Sequence, residues 1–90
     1  MENESDKWFE NGEKAYEKGL YGRALKWFSK AAEQGDDRAL KRLGDMYYYG
    51  YSVEERYGKA MDYYHAAKLK GNSHAGYLYN QVLHVINLSI

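Results

Sequence analysis

The sequence predicts an all-α fold built from antiparallel helix pairs, and three observations lead to this prediction. Proline is absent from all 90 residues, whereas helix-favouring Ala, Lys, Glu and Leu are frequent. The mean hydropathy of −0.85 is low enough to suggest disorder. Aromatic residues nevertheless make up 17% of the chain, and this content argues against disorder because disordered chains are poor in aromatic residues. A stretch of alternating small and aromatic residues also recurs 36 positions later. We therefore expect large rings packed against Ala and Gly between close helices.

The repeated stretch starts at Arg23 and returns at Lys59. Its matching residues are Ala24 with Ala60, Trp27 with Tyr63, Phe28 with Tyr64, Ala31 with Ala67, Gly35 with Gly71 and Ala39 with Ala75. Positions i, i+3, i+4 and i+7 share one face of a helix, so each stretch predicts a helix with small residues and rings on its inner side. Gly35 and Gly71 stand where a helix ends in a left-handed residue. Asp36 or Asp37, and Asn72 or Ser73, then cap the following helices.

Each repeated helix has a partner before it. The first partner contains Gly12 and stops at Gly19, and the second contains Gly44 and stops at Gly50. A glycine inside a helix costs about 1 kcal/mol relative to alanine, so Gly12 and Gly44 indicate a close approach of the next helix. A fifth helix matches the first half of a unit. The predicted helices are 5–18, 21–34, 37–49, 57–70 and 73–87, grouped in one domain (1–90) as units of about 5–36 and 37–72 with a capping helix of about 73–87.

Several residues of the second unit have the spacing of a known helical repeat. They are Ala39, Leu43, Gly44, Tyr47, Gly50, Val53, Lys59, Ala60, Tyr63 or Tyr64, Ala67 and Gly71. This unit resembles the Sel1-like repeats of the tetratricopeptide superfamily, except that Ser52 stands where glycine is common and Arg56 where aspartate is common. The first unit is more similar to an ordinary tetratricopeptide repeat, through Trp8, Gly12, Ala24, Phe28 and Ala31.

The resemblance covers residues 7–83 and implies a short right-handed superhelix of antiparallel helix pairs, with two repeat units and a C-terminal capping helix. It also implies a protein–protein interaction module, acting as an adaptor, scaffold or blocking protein. Such a module binds a protein or peptide on its concave helical face and performs no catalysis.

Catalytic and metal chemistry find no support in the residues. Cysteine is absent, which excludes disulfides, thiolate metal sites and thiol nucleophiles. His65, His74 and His84 form no pair spaced i, i+4, as a helical zinc site would need. No phosphate-binding loop, nucleophile elbow or HExxH sequence is present. We predict no enzyme activity, no metal and no cofactor.

The charges leave an alternative function open. Thirteen basic and thirteen acidic side chains give a net charge of zero, which argues against nucleic-acid binding through bulk positive charge. The total conceals an uneven distribution, because residues 1–17 sum to −4 and residues 56–90 to +3. Arg38, Lys41 and Arg42 form one basic cluster on the third predicted helix. The alternative is therefore a small regulatory protein that contacts nucleic acid, or a nucleic-acid-bound complex, through the Arg38–Arg42 face.

The first helix of each unit lines the concave surface of a helix-pair solenoid. We take Gly12, Gly44 and Asn80 as equivalent positions of the first, third and fifth helices. This alignment predicts which side chains face the groove formed by the concave surface. The predicted partner-binding residues are Phe9, Glu13, Tyr16, Arg38, Lys41, Asp45, Tyr48, Tyr49, Tyr77, Gln81 and His84. Tyrosine suits recognition surfaces because it offers a large area and a hydroxyl group at little rotamer cost. Tyr48 and Tyr49 either line the groove or pack against adjacent helices.

The C-terminal stretch is more apolar than the rest of the chain. Val82, Leu83 and Ile86 are expected to cover the fourth helix. The other apolar residues of this stretch either fold back onto the core or contact a second copy or a partner chain. These candidates for homodimer contact are Val85, Leu88 and Ile90.

The sequence contains no recognisable targeting or membrane segment. No apolar run approaches the roughly 20 residues that span a bilayer. The first nine residues, MENESDKWF, are polar and acidic, unlike a signal peptide. We therefore predict a cytoplasmic protein without membrane contact.

Overall fold

The structure, a computed structural model, describes residues 3–88, which fold into five α-helices without strands. The helices are α1 (Glu4–Glu17), α2 (Tyr21–Glu33), α3 (Asp37–Tyr49), α4 (Tyr57–Leu69) and α5 (Ser73–Leu88). Every boundary lies within one residue of its predicted position, so the predicted all-α fold is confirmed. None of these helices is both long enough and apolar enough to cross a membrane.

The helices form an elongated slab of 46 × 27 × 17 Å in which each helix packs against the next along the chain. Helix α3 lies centrally, because its side chains reach α1 on one side and line a cleft with α5 on the other. The division of this array into repeat units at residues 36 and 72 remains a prediction.

The helix ends follow the expected local chemistry. Gly35 and Gly71 adopt left-handed backbone conformations, with φ of +82° and +99°, which glycine reaches without steric cost. Asp36 caps α3 by accepting a 3.0 Å hydrogen bond from the backbone N–H of Arg38. Asn72 caps α5 by accepting a 2.8 Å bond from the N–H of Ala75. Of the two residues offered at each cap, the structure uses the first.

Two glycines allow a ring from the following helix to approach the backbone. A Cβ atom built on Gly12 would lie 2.5 Å from Cε1 of Phe28, and one on Gly44 would lie 2.6 Å from Cδ1 of Tyr64. Real Cβ atoms do not come this close to carbon, so only glycine fits either position. The close approach predicted from Gly12 and Gly44 is confirmed.

The buried residues form two clusters, one from α1, α2 and α3 and the other from α4 and α5. The first contains Ala15, Ala24, Phe28, Ala31, Ala39, Leu43 and Met46, and the second contains Ala60, Tyr64, Ala67, Ala75 and Val82. In the two repeated stretches, the matching alanines, Phe28 and Tyr64 are buried as expected. Trp27 and Tyr63 are only half-buried, because their positions on α2 and α4 lie at the edge of the inner face.

The loop between α3 and α4 packs back onto the first helix pair. The ring of Tyr51 stacks on Tyr21 with centroids 4.2 Å apart and contacts Tyr16 edge-on at 5.9 Å. The next residue, Ser52, has a left-handed φ of +64°, at the position where the resembling family commonly has glycine. The N-cap of α4, Arg56, makes no side-chain capping bond. An aspartate at this position would cap the helix N-terminus, and Arg56 instead pairs with Glu54.

Candidate partner-binding surface

Two junctions between helices contain most of the predicted binding residues. The first, here the α1–α3 seam, is the contact of Arg38 and Arg42 with α1. The Arg38 guanidinium binds Asp6 of α1 and the cap residue Asp36, each at 2.7 Å, and lies 4.3 Å over the ring of Phe9. These contacts fill the N-terminal part of the junction.

Arg42 closes the remainder of the α1–α3 seam. Its Nε donates a 2.5 Å hydrogen bond to Glu13 of α1, its Nη2 a 3.1 Å bond to the same carboxylate, and its Nη1 a 3.1 Å bond to Asp45. The guanidinium also covers the ring of Tyr16 at 4.7 Å. The hydrogen bonds to Glu13 raise the pKa of the Arg42 guanidinium above its usual range. Arg42 is therefore held as a permanent cation between two carboxylates.

Asp45 joins this seam to the core of the second helix pair. It is 6% exposed, and its Oδ1 accepts a 2.5 Å hydrogen bond from the hydroxyl of Tyr64. Its Oδ2 accepts from Arg42 and lies 3.3 Å from Nζ of Lys41. Burial, followed by the bond to Asp45, raises the pKa of Tyr64 far above its usual value, and burial raises that of Tyr16 to about 12. The tyrosine hydroxyls thus stay protonated beside the buried carboxylate.

The second junction, here the α3–α5 cleft, is open. It has a volume of about 220 Å³ and is lined by Tyr48, Tyr49, Tyr64, Leu78, Gln81 and Val82. Tyr48 is half-buried and stacks on Tyr57 of α4 at 5.2 Å, whereas Tyr49 is 56% exposed and contacts Tyr48 edge-on. Tyr48 therefore both lines the cleft and packs between helices, and Tyr49 presents most of its ring to solvent.

The repeat explains why one junction is filled and the other open. Adding 36 to Arg42 gives Leu78, and adding 36 to Asp45 gives Gln81. The α3–α5 cleft thus has the aliphatic side chain of Leu78 where the α1–α3 seam has the guanidinium of Arg42. It has the neutral amide of Gln81 where the seam has the carboxylate of Asp45. No ion pair can bridge these positions, and the shorter leucine leaves space between the helices.

The structure brings together only part of the predicted groove. Tyr48, Tyr49 and Gln81 meet in the α3–α5 cleft, whereas Phe9 and Tyr16 pack on Phe28, with centroids 5.7 and 6.1 Å away. Lys41, Asp45, Arg38 and Glu13 are engaged in ion pairs. On α5, Tyr77 and His84 are exposed but do not line the cleft. Leu78, Val82 and Tyr64 also line the cleft but are not among the predicted binding residues, although Leu78 shares the face of Gln81 at i, i+3.

At the apolar C-terminus, Val82 is buried and Ile86 half-buried against the second cluster, as predicted. Leu83, expected to cover α4, is 39% exposed. Among the residues predicted for self-association, Leu88 is 72% exposed and Val85 is half-buried. Ile90 lies outside the described residues. Residues 3–88 contain no group of three His, Asp or Glu side chains arranged to hold a metal ion.

Comparison with known proteins gives two partial matches. The chain is 34% identical over 73 residues to HRD3B of Arabidopsis thaliana, an ERAD-associated E3 ubiquitin-protein ligase component, covering 71% of the chain and 12% of HRD3B. It is 46% identical over 44 residues to an uncharacterised Sel1-like repeat-containing protein of Schizosaccharomyces pombe, covering 49% of the chain and 7% of that protein. No protein-family model matches the chain. The chain thus spans about a tenth of the length of these curated relatives.

Proposed function

The chain belongs to the Sel1-like repeat family, and from this membership we propose that it is a protein–protein interaction module whose partner binds in the α3–α5 cleft. The partner is an extended peptide segment of another protein, carrying an aliphatic or aromatic side chain that enters between Tyr49 and Leu78. One of the relatives, HRD3B, is by its name a component of a ligase, which accords with a module that works by holding another protein. We propose no catalytic role.

The observation that carries this proposal is the difference between the two junctions. At the α1–α3 seam, ion pairs occupy the space that a partner would enter. At the α3–α5 cleft, the same repeat positions hold Leu78 and Gln81, and a cleft of about 220 Å³ remains. An exposed tyrosine ring beside such a cleft supplies apolar area without desolvating a charge, as recognition surfaces commonly do.

The polar groups at the cleft suit a peptide backbone. The Gln81 amide both donates and accepts hydrogen bonds, and the Tyr49 hydroxyl does the same. Such groups bind the N–H and C=O of an extended chain, while Tyr49, Leu78 and Val82 surround an apolar side chain. Burial and the nearby charge of Asp45 raise the pKa of Tyr49, so its hydroxyl stays protonated and able to donate at neutral pH.

The alternative function, nucleic-acid contact through the Arg38–Arg42 face, has no specific observation in its favour. Arg38, Lys41 and Arg42 each lie within ion-pair distance of a carboxylate. A phosphate would have to displace those carboxylates, which lowers the gain from each contact. We therefore retain the protein partner.

Two further predictions concern the assembly and its location. Self-association through Val85, Leu88 and Ile90 remains a prediction that sedimentation can test. If a chain ending at Asn87 sediments with the same monomeric mass as the 90-residue chain, self-association through this end is contradicted. Cytoplasmic location also remains a prediction.

The cleft is tested with peptides selected from a random library on the immobilised wild-type chain. Their affinities are then measured by fluorescence anisotropy for wild type, for Tyr49→Ala and for the control Leu69→Ala, which removes an exposed apolar side chain from α4. We expect Tyr49→Ala to weaken binding about ten-fold or more, as loss of an aromatic contact does at interfaces, and Leu69→Ala to leave it unchanged. Equal affinity for Tyr49→Ala and wild type would contradict the proposal.

A further inference from the structure

We propose that the outer side of the first helix pair is a second binding surface, which takes a short acidic peptide segment. This surface, here the basic indole face, consists of the half-buried Trp27 and the exposed cations around it. The cations are Lys14, Lys18, Arg23, Lys26 and Lys30. It lies apart from the α3–α5 cleft and does not depend on the function proposed for that cleft.

Two clefts flank the Trp27 side chain. One, of about 300 Å³, is lined by Arg23, Lys26, Trp27 and Lys30. The other, of about 240 Å³, is lined by Asn11, Lys14, Ala15, Lys18, Leu20, Arg23 and Trp27. Trp27 and Arg23 are common to both, so an indole ring and a guanidinium stand between two recesses. Such a recess can hold an apolar side chain while carboxylates reach the surrounding cations.

The cations of this face are available, in contrast to those of α3. Arg38, Lys41 and Arg42 all have carboxylate partners. Across residues 3–88, no ion pair involves any of the five cations of the basic indole face. The sequence explains the difference, because no acidic residue occurs between Glu17 and Glu33.

Lys30 is already positioned by aromatic contact. Its Nζ lies 5.8 Å from the centroid of the Trp8 ring and 5.4 Å from that of Trp27. The two indole rings already restrict the Lys30 side chain, so binding a carboxylate costs less conformational entropy than it would at an unrestrained lysine. The arrangement favours an anionic partner and connects Trp8 of α1 to the same face.

The dimensions and the surrounding charge favour a short acidic segment over a polyanion. Arg23, Lys26 and Lys30 follow one stripe of α2 that is about 10 Å long, at 1.5 Å per residue. About three or four residues of extended peptide span that distance, at 3.3 Å per residue. Residues 1–17, most of which form α1 of the same helix pair, sum to −4, so a nucleic acid running past the stripe would meet like charge.

The experiment uses the intrinsic fluorescence of the chain, since its only two tryptophans, Trp8 and Trp27, both contact Lys30. The probe is a capped peptide of two glutamates, phenylalanine and two glutamates, and the reference is the same peptide with glutamines. We expect a saturable change in emission with the glutamate peptide, and none with the glutamine peptide. The change should persist in Trp8→Phe, which leaves Trp27 as the reporter.

Charge reversal then assigns the binding to this face. The double variant Arg23→Glu/Lys26→Glu should bind the glutamate peptide with an affinity about ten-fold lower, because complementary charge is lost. The matched control Lys68→Glu/Lys70→Glu changes the net charge equally at the C-terminal end of α4, and its affinity for the peptide should stay within about two-fold of wild type. Tyr49→Ala, in the α3–α5 cleft, should also bind the peptide as wild type does. Thermal unfolding of each variant verifies its fold.

Several results would overturn the proposal. They are the absence of a saturable emission change, equal binding of the glutamine peptide, and equal weakening by the two charge reversals. Tighter binding of a short oligothymidylate than of the glutamate peptide, at the same salt concentration, would assign the face to nucleic acid instead.

Discussion

The two junctions of α3 contain equivalent repeat positions but differ in what fills them. On the α1 side, Arg42 binds Glu13 and Asp45 and covers Tyr16. On the α5 side, Leu78 stands at the position that Arg42 has in the repeat, and a cleft lined by Tyr48 and Tyr49 stays open. The junction with the most charged residues joins helices, and the neutral junction is the one that we propose as the partner site.

The physical reason lies in how each junction satisfies its side chains. A half-buried arginine needs carboxylates, and α1 supplies one from Glu13 while α3 itself supplies Asp45. Tyrosine and leucine need no such partner, so they tolerate exposure to solvent until an apolar group covers them. The first arrangement stabilises the fold, and the second leaves apolar surface exposed.

The largest expected effect comes from damaging the contact that supports α3 in both junctions. Gly44→Ala places a Cβ about 2.6 Å from the Tyr64 ring and should lower the free energy of unfolding by about 2–3 kcal/mol, as overpacking does. Urea denaturation measures this change. The control Gly58→Ala adds a methyl group in α4 with no atom within 4 Å and should be neutral or slightly stabilising. Equal stability of Gly44→Ala and wild type would show that the packing of the Tyr64 ring does not require glycine at position 44.

Arg42→Leu gives the α1–α3 seam the residue of the α3–α5 cleft. Glu13 and the buried Asp45 then each lose a charged partner, and the free energy of unfolding should fall by about 2 kcal/mol. The control Arg56→Leu removes a guanidinium whose pair with Glu54 is exposed, and its unfolding midpoint should stay close to wild type. Arg42→Leu as stable as Arg56→Leu would mean that the seam is not held by charge.

The reverse exchange should close the cleft. Leu78→Arg/Gln81→Glu supplies a guanidinium and a carboxylate at the positions that Arg42 and Asp45 have one repeat earlier. We expect anisotropy to report an affinity for the library-selected peptides that is about ten-fold lower, with the unfolding free energy within about 1 kcal/mol of wild type. The matched double variant Leu83→Arg/Asn87→Glu, on the same helix but outside the cleft, should bind normally. Loss of binding in both double variants would remove the cleft from the account.

Acid should weaken the ion pair between Asp36 and Arg38 at the α1–α3 seam. Burial raises the pKa of Asp36, but the hydrogen bonds and positive charge of Arg38, together with the hydrogen bond from the N–H of Ala39, outweigh this effect and hold that pKa below its usual value. A lowered pKa in the folded state means that Asp36 contributes stability above its unfolded pKa, near 4, and that this contribution is lost as pH falls through the folded pKa. Asp36→Asn keeps the helix cap but loses the ion pair, so it should cost about 1 kcal/mol at pH 7 and less in acid. A difference from wild type that does not depend on pH between 7 and 2 would contradict this assignment.

Much of the fold follows from local signals in the sequence. The helix ends coincide with Gly19, Gly35, Gly50 and Gly71, all of which adopt positive φ angles. The repeat at 36 residues identifies the inner faces, since small residues and rings can share a face only at helical spacing. Local sequence signals are therefore sufficient to predict the five helices and most of their buried positions.

The site depends on contacts that local spacing does not report. Arg42 and Asp45 are three residues apart, so their pairing is readable from a helix, but Glu13 lies 29 residues before Arg42. The sequence alone therefore predicts Arg38, Lys41 and Arg42 as partner contacts, whereas the fold provides them with carboxylates. The cations of α2 are not among the predicted binding residues, although the absence of acidic residues between Glu17 and Glu33 is a sequence signal for them.

An NMR titration of the ¹⁵N-labelled chain with a peptide selected from the random library would locate the partner-binding surface directly. If the partner binds in the α3–α5 cleft, the largest amide shift changes should occur at Tyr48, Tyr49, Leu78 and Gln81, with little change at Glu13 and Arg42. Shift changes centred on Glu13 and Arg42, with the amides of α5 unaffected, would show that the partner does not bind in the α3–α5 cleft.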